Sequence, residues 1–269
     1  MLAVMAALAI SFVTSARSLR VLAIGNSFSE DAIEQNLYEL AAELGDTLII
    51  GNAFIGGCSI DRHVDNINNN KPEYAYRKVV DGIKTDKPSS VLFDIITDEP
   101  WDIISLQQVS QWAGKSDTFK NLTALKEYVV NNMPNKDAEI VWHMTWAYAN
   151  DFKSDNFRHY GFNQEAMYDS IVNVVKTIIP EHNINLVIPS GAAIQSARKS
   201  FGDVLNRDGY HLAIPLGRYT AACTWCEFLT GKNITKCSYH PADISDSDAK
   251  KARKAVHKAL KRYKKLPQK

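Results

Sequence analysis

Short, continuous apolar runs recur along the chain, and segments with helical spacing of apolar positions lie between them. The runs do not alternate polar with apolar positions, which is typical of parallel strands buried on both faces. Five of these runs are predicted to be strands: Leu19–Ile24, Thr47–Ile50, Trp101–Leu106, Glu139–Met144 and Asn185–Ile188. The segments between them predict helices over Asp31–Leu44, Tyr74–Ile83, Phe119–Asn131 and Asn163–Ile179. This alternation predicts an α/β fold, a three-layer α/β/α sandwich around a central parallel sheet of about five strands.

The end of the chain predicts one more amphipathic helix. A polar cluster suited to capping, Ser245–Asp248, precedes apolar positions that share one helical face, while cations occupy the other face. We expect this helix to pack on the domain, with a phosphate-binding or membrane-surface role as the alternative. No repeat, linker or compositional break divides the chain, so residues 18–265 are predicted to form one domain.

Composition narrows the class of protein. The chain has 269 residues, and 45% of them are apolar, which is enough for a full core and excludes wholesale disorder. The net charge is +1, but residues 250–269 hold ten Lys or Arg and no acid, so the rest of the chain carries −9. We therefore expect no nucleic-acid partner, and a polyanionic substrate would be repelled by the body of the protein.

The first sixteen residues resemble an export signal. They carry no charge, contain an apolar run over 1–10 and end in the small residues Thr14, Ser15 and Ala16, although a basic start is missing. The run is too short to span a bilayer, so we expect no stable membrane span. The prediction is a signal peptide over residues 1–16 and a secreted or periplasmic protein. A buried first strand or helix, or a start codon assigned too late, is the alternative.

Four cysteines are too few to indicate a disulfide framework. Cys223 and Cys226 have the spacing of a CxxC motif, but they lie in the predicted helix Tyr219–Leu229 with no zinc-type histidine pair nearby. We expect buried helix cysteines and no metal. A pairing with Cys237 after export stays open.

Candidate chemistry lies at the carboxyl ends of the strands, where open parallel sheets bind ligands. Gly25, Asn26 and Ser27 follow the first strand, and Ser27 falls at or before the start of a helix. A simple helix cap is the alternative role for this serine. After the last strand, Asp208 and His211 stand three apart in a turn. This spacing lets the carboxylate hold one imidazole nitrogen while the other faces outward as a base.

A serine after the first strand and Asp-x-x-His after the last resemble the SGNH or GDSL hydrolases, whose first motif reads Gly-Asp-Ser. The likeness spans about residues 19–232 and is to a mostly secreted bacterial branch. It implies a flavodoxin-like SGNH hydrolase fold, with Ser27 as nucleophile, His211 as general base and Asp208 orienting His211. No metal or organic cofactor is implied.

The resemblance also implies an oxyanion hole. Its glycine donor would be Gly57, so the N–H groups of Ser27 and Gly57 would flank the oxyanion. The asparagine of the usual Gly-x-Asn-Asp motif is missing after the third strand. Gln107 or Gln108, with Gln111 behind them, is therefore expected to supply the third donor, because a glutamine amide can donate the same hydrogen bond.

Three residues after the fourth strand complete the predicted site. His143, Trp146 and Tyr148 are expected to bind substrate, with core packing as the alternative for the two aromatics. The sequence then predicts a serine esterase, a carboxylic ester hydrolase that removes a short acyl group, most simply acetyl, from a carbohydrate or other polar ester. The expected partner is thus a small-molecule or glycan ester. The alternatives are a non-catalytic glycan-binding module on the same fold, or a lipid esterase or thioesterase.

Overall fold

The computed structural model describes residues 17–263, and a mixed sheet of seven strands forms its centre. The strands are β1 (Ser18–Gly25), β2 (Thr47–Phe54), β3 (Tyr74–Val80), β4 (Ile83–Ser90), β5 (Ile103–Leu106), β6 (Glu139–His143) and β7 (Val187–Ile188). Their order across the sheet is β4-β3-β2-β1-β5-β6-β7. Strands β2, β1, β5, β6 and β7 pair in parallel and correspond to the five predicted runs. The α/β fold class is confirmed, and the sheet is larger than predicted.

The additional strands replace a predicted helix. Residues 74–90 form an antiparallel hairpin, β3 and β4, on the edge of β2, so the helix predicted over Tyr74–Ile83 is wrong. The connection is the two-residue turn Asp81-Gly82, with φ of +50° and +77° at its two positions. Positive φ at both positions is the geometry of the type I′ turn, for which Asp-Gly is a preferred sequence. The turn dipeptide was therefore a stronger signal than the spacing of apolar residues.

Ten helices connect and cover the strands within the described residues. They are α1 (Ser27–Ile33), α2 (Leu37–Glu43), α3 (Ile60–Asn68), α4 (Leu92–Thr97), α5 (Leu122–Asn132), α6 (Asp155–Arg158), α7 (Gln164–Thr177), α8 (Ser190–Phe201), α9 (Leu216–Thr230) and α10 (Asp246–Tyr263). The single helix predicted over Asp31–Leu44 is two helices: α1 ends at Ile33, and Asn36, the N-cap of α2, adopts a left-handed conformation (φ +67°) that a continuous helix does not allow.

A continuous hydrophobic core surrounds the sheet. Strand β1 is buried along most of its length, as expected for the central strand. Helix α9 is buried from Gly217 to Leu229, and α10 packs on α8 and α9 through its apolar face. Arg253 of α10 is buried and donates to the Tyr219 hydroxyl at 2.7 Å, whereas the described lysines of the helix lie on its outer face, so the helix covers core while exposing charge to solvent.

Several expectations concern the ends of the chain and its cysteines. The predicted signal peptide, residues 1–16, lies outside the described residues. Between residues 17 and 263, no helix has the length and apolar character needed to cross a membrane. All four cysteines are buried and free, so Cys237 is not paired with the CxxC motif. Over the same span, no group of three or more His, Cys, Asp or Glu side chains is arranged to hold a metal ion.

Candidate active site

The turn between β1 and α1 presents Ser27 with a free hydroxyl. The helix cap is Asn26, whose side-chain Oδ1 accepts the N–H of Phe28 at 3.0 Å. Because Asn26 fills the capping role, Ser27 is not needed for it. Ser27 is half-buried and lines a cavity, and its hydroxyl has no hydrogen-bond partner among residues 17–263. This serine is available to a ligand rather than committed to the fold.

Position 25 requires a glycine because other side chains lie too close for a Cβ, not because its backbone has a positive φ. A Cβ at this position would lie 2.7 Å from Ser29 Oγ and 2.8 Å from Gln107 Cδ. Any larger residue would push the Gln107 side chain away from the strand end. The first glycine of the motif therefore ties the end of β1 to the loop after β5.

Asp208 and His211 form a pre-oriented pair in the loop before α9. One carboxylate oxygen of Asp208 accepts the N–H groups of Tyr210 and His211, at 3.2 and 2.8 Å, and the other lies 2.6 Å from His211 Nδ1. Burial raises the pKa of Asp208, but the hydrogen bonds from His211 and Tyr210 outweigh it, so the pKa lies below its usual value. The carboxylate is thus ionised and holds the hydrogen on Nδ1, which leaves Nε2 as the acceptor.

Ser27 and His211 line the same cavity, which has a volume of about 550 Å³. Its wall combines aromatic rings with neutral polar side chains, and no Asp, Glu, Lys or Arg lines it among the residues that the structure describes. The aromatic rings belong to Phe28, Tyr148, Phe152 and Tyr210. Such a wall suits a neutral ligand with both apolar and hydroxyl-bearing surfaces.

Gly57 contributes a backbone donor to the cavity. The turn Ile55–Cys58 closes through the Cys58 N–H, which donates to the Ile55 carbonyl at 3.1 Å. Gly57 has a φ of +62°, a conformation that glycine adopts without strain. Its N–H finds no acceptor in the described part of the chain, and the same holds for the N–H of Ser27. Two backbone donors are therefore unused at the edge of the cavity.

The structure turns the side chains of Gln107 and Gln108 away from the cavity. Gln108 is buried, with its amide nitrogen donating to the Thr118 carbonyl at 3.0 Å and its oxygen accepting the Ile60 N–H at 3.1 Å. The Gln107 amide lies between Asn26 and His143. Neither residue lines the cavity, so neither amide is placed to donate into it. Gln111 does line it, because a 3₁₀ turn over Ser110–Trp112 returns the chain to the cavity.

Only one of the three expected substrate-binding residues reaches the cavity. Tyr148 lines it and shares a 2.8 Å hydrogen bond with the Ser110 hydroxyl. Trp146 is fully buried, stacks on Phe28 with ring centroids 4.3 Å apart, and does not line the cavity. His143 is also fully buried, and burial lowers its pKa to about 3. His143 is therefore neutral and structural.

Sequence reasoning did not identify several residues of the cavity wall. They lie between β6 and the middle of α6, and beside His211: Phe152, Ser154, Asn156 and Tyr210. The Tyr210 ring packs against the His211 ring, with centroids 3.9 Å apart. Tyr210 could have been found from its place inside the Asp208–His211 turn, whereas nothing in the spacing of residues 149–156 indicates that they reach the site.

Comparison with known proteins gives one close relationship and several distant ones. A family model described as "Domain of unknown function (DUF4886)" matches residues 20–259. The solved structure of a DUF4886 family protein from Bacteroides uniformis ATCC 8492 is 49% identical, with a TM-score of 0.90, and the match covers 93% of this chain and 98% of that chain. No curated protein matches the chain.

Two structural neighbours are much more distant in sequence. One is the acetyl xylan esterase AlAXEase, at 14% identity and a TM-score of 0.48, with 77% of this chain and 98% of that chain covered. The other is TesA, at 10% identity and a TM-score of 0.49, with 80% of this chain and 99% of that chain covered.

Proposed function

The chain belongs to the DUF4886 family, and from the geometry of its cavity we propose that it is a serine ester hydrolase of the SGNH type. One observation carries the proposal. The unpartnered Ser27 hydroxyl lines the same cavity as His211, whose ring Asp208 holds at 2.6 Å. A nucleophile, a base and a group that orients the base are the parts that acyl transfer requires.

The proposed reaction uses two steps. Ser27 Oγ attacks the ester carbonyl carbon while His211 Nε2 takes its proton, and His211 then protonates the departing alcohol as the ester C–O bond breaks. Water then gives a proton to His211 and attacks the acyl carbon. The bond from that carbon to Ser27 Oγ breaks, His211 returns the proton to Oγ, and the acid leaves. Asp208 keeps the imidazole in the required tautomer and stabilises the imidazolium.

Backbone donors stabilise the oxyanion in this proposal. The unused N–H groups of Ser27 and Gly57 point to the role, because oxyanion holes are built from donors that are not committed elsewhere. We assign the third donor to Gln111 in place of Gln107 or Gln108. Gln111 is half-buried at the cavity wall, and its side-chain amide has no partner within residues 17–263. Loss of such a donor costs about 3 kcal/mol of transition-state stabilisation.

We propose a short acyl group, acetyl in the simplest case, on a carbohydrate or other polar alcohol. The cavity wall includes the amides of Gln111 and Asn156 and the hydroxyls of Ser110 and Ser154, which suit a hydroxyl-rich leaving group. Aromatic rings beside them can pack on the apolar face of a sugar. The net −9 outside residues 250–269 disfavours a polyanionic substrate.

Incubation with a fluorophosphonate probe and with p-nitrophenyl acetate tests the proposal. The wild type is expected to be labelled and to release p-nitrophenol, and Ser27→Ala is expected to do neither. Ser29→Ala is the matched control, because Ser29 lies in the same helix with its hydroxyl committed to Asn26 and Asn52. If neither labelling nor turnover depends on Ser27, the esterase proposal fails and the glycan-binding alternative gains. Faster cleavage of octanoyl than acetyl esters would overturn the short-acyl assignment.

A further inference from the structure

A chain of buried side-chain hydrogen bonds runs beneath the cavity floor. Asn26 Nδ2 donates to the Cys58 carbonyl at 2.9 Å, and Gln107 Nε2 donates to Asn26 Oδ1 at 2.8 Å. Gln107 Oε1 lies 2.9 Å from His143 Nδ1, and His143 Nε2 lies 3.0 Å from Ser190 Oγ. Each side chain in this hydrogen-bond series is at most 2% exposed.

Backbone groups at the Asn26 end of this hydrogen-bond series decide which atom donates and which accepts in every bond of the series. The Phe28 N–H can only donate, so the Asn26 atom that it meets is the oxygen, and Asn26 Nδ2 then faces the Cys58 carbonyl, which can only accept. Gln107 must therefore present its nitrogen to Asn26 and its oxygen to His143. Neutral His143 then carries its hydrogen on Nδ1 and accepts the Ser190 hydroxyl on Nε2.

This series of hydrogen bonds joins the two loops that carry the unused N–H groups of Ser27 and Gly57. Asn26 directly precedes Ser27, and Cys58 directly follows Gly57. The Asn26 carboxamide is therefore a side-chain cross-link between the Ser27 turn and the Gly57 turn, beside the backbone hydrogen bond that the Ile55 N–H donates to the Gly25 carbonyl at 3.3 Å. Its orientation depends on Gln107, whose side chain is packed against Gly25 and cannot move toward the strand without a clash.

We propose that Gln107, oriented by His143, is a positioning residue that sets the spacing of the Ser27 and Gly57 N–H groups through Asn26. The proposal rests on the proposed function, since these N–H groups are the assigned oxyanion donors. In this proposal Gln107 positions the oxyanion donors and does not itself donate a hydrogen bond to the oxyanion. It also accounts for an Asn where the SGNH motif has Asp: a carboxylate could not donate to the Cys58 carbonyl and would repel it.

Gln107→Glu, assayed at alkaline pH, is the central test: burial raises the pKa of the new carboxyl, and once it is ionised the side chain keeps its shape but has no donor. A carboxylate facing Asn26 Oδ1 forces Asn26 to turn, and the Cys58 carbonyl then loses its donor. With p-nitrophenyl acetate we expect kcat to fall by about a hundredfold, the scale of a misplacement near 1 Å, while KM changes by no more than about twofold. Asn26→Asp is expected to have the same effect, a large fall in kcat with KM nearly unchanged.

Thr224→Val is the matched control for stability. Thr224 is fully buried in α9, donates to the Thr220 carbonyl at 2.9 Å and does not line the cavity. This variant loses a buried hydrogen bond and is expected to melt earlier than the wild type with kcat unchanged. If Gln107→Glu likewise melts earlier but keeps kcat within about twofold of wild type, its role is structural and the proposal is overturned.

A second measurement does not depend on activity. In ¹⁵N-labelled protein, the Gly57 amide resonance is expected to shift in Gln107→Glu, although Gln107 does not touch Gly57, and to stay in place in Thr224→Val. An unmoved Gly57 resonance contradicts the proposed link whether or not the enzyme turns over. Absence of any Ser27-dependent turnover in the wild type refutes the proposed function instead, and the Gly57 resonance still decides the link.

Discussion

The carboxylate of Asp31 accepts the backbone N–H of Leu212 at 2.6 Å, although 181 positions separate the two residues. Asp31 lies on α1 one helical turn after Ser27, and Leu212 directly follows His211. The carboxylate is fully buried and is also bound by Arg218 at 2.6 Å and Arg207 at 3.1 Å. This contact attaches the loop that carries His211 to the helix that carries Ser27, so two segments far apart in the sequence meet at one cavity.

We predict that Asp31→Ala lowers the free energy of unfolding by about 3 kcal/mol, because it removes the nearer carboxylate from the buried Arg218 and leaves it only Glu30, at 3.4 Å. Chemical denaturation measures this change. The pair of Glu73 and Arg62 is far more exposed, so Glu73→Ala is expected to cost no more than about 1 kcal/mol. Slower fluorophosphonate labelling should accompany the loss of Asp31, since the Leu212 N–H loses its acceptor. Equal losses of stability in the two variants would contradict the prediction.

Asp208→Asn tests the proposed role of Asp208 in orienting His211 as the general base. The Asn oxygen would accept the N–H groups of Tyr210 and His211, as Asp208 does now, and its NH₂ group would then face His211 Nδ1. That arrangement favours the tautomer with the hydrogen on Nε2, which cannot take the proton from Ser27. We expect kcat for p-nitrophenyl acetate to fall by about 10⁴-fold. A decrease of less than about tenfold would show that Asp208 does not control the tautomer.

The hydrogen bonds of Glu43 predict how the stability of the protein depends on pH. Its carboxylate accepts the N–H groups of Ser238 and Tyr239, the Cys237 thiol and the Ser238 hydroxyl. Burial raises its pKa, but the hydrogen bonds from Cys237, Ser238 and Tyr239 outweigh burial and lower the pKa from 4.5 to about 2. A pKa lowered by folding contributes stability above the unfolded value, and that contribution is lost as the pH falls from 4.5 toward 2.

Glu43→Gln should therefore melt below the wild type at neutral pH, and the difference in melting temperature should shrink toward zero near pH 2. Thermal melts between pH 2 and 7 measure it. Glu39→Gln, an exposed change on the same helix, is the control and should follow the wild-type curve. Parallel curves for wild type and Glu43→Gln over the whole range would show that Glu43 makes no linked contribution.

The parallel strands of the sheet were predictable because their signal is local and strong. A continuous apolar run such as Leu19–Ile24 can be buried on both faces only in the interior of a covered sheet. The hairpin β3–β4 was not predicted, because its strands are half-buried or exposed and carry mixed polar residues. Its clearest signal is the Asp81-Gly82 turn, a feature of backbone conformation rather than of hydrophobicity.

The sequence by itself determined which residues could perform chemistry: a serine after the first strand, an Asp-x-x-His turn after the last and a glycine turn after the second. Local spacing is enough for these, since each motif is a few residues long and follows a recognisable strand. Tertiary structure alone decided which side chains face the cavity. Gln107 faces inward because Asn26 and His143 satisfy its amide in the core, whereas Gln111 faces the cavity because a 3₁₀ turn redirects the chain. Buried polar groups go where partners exist, and those partners lie far away in sequence.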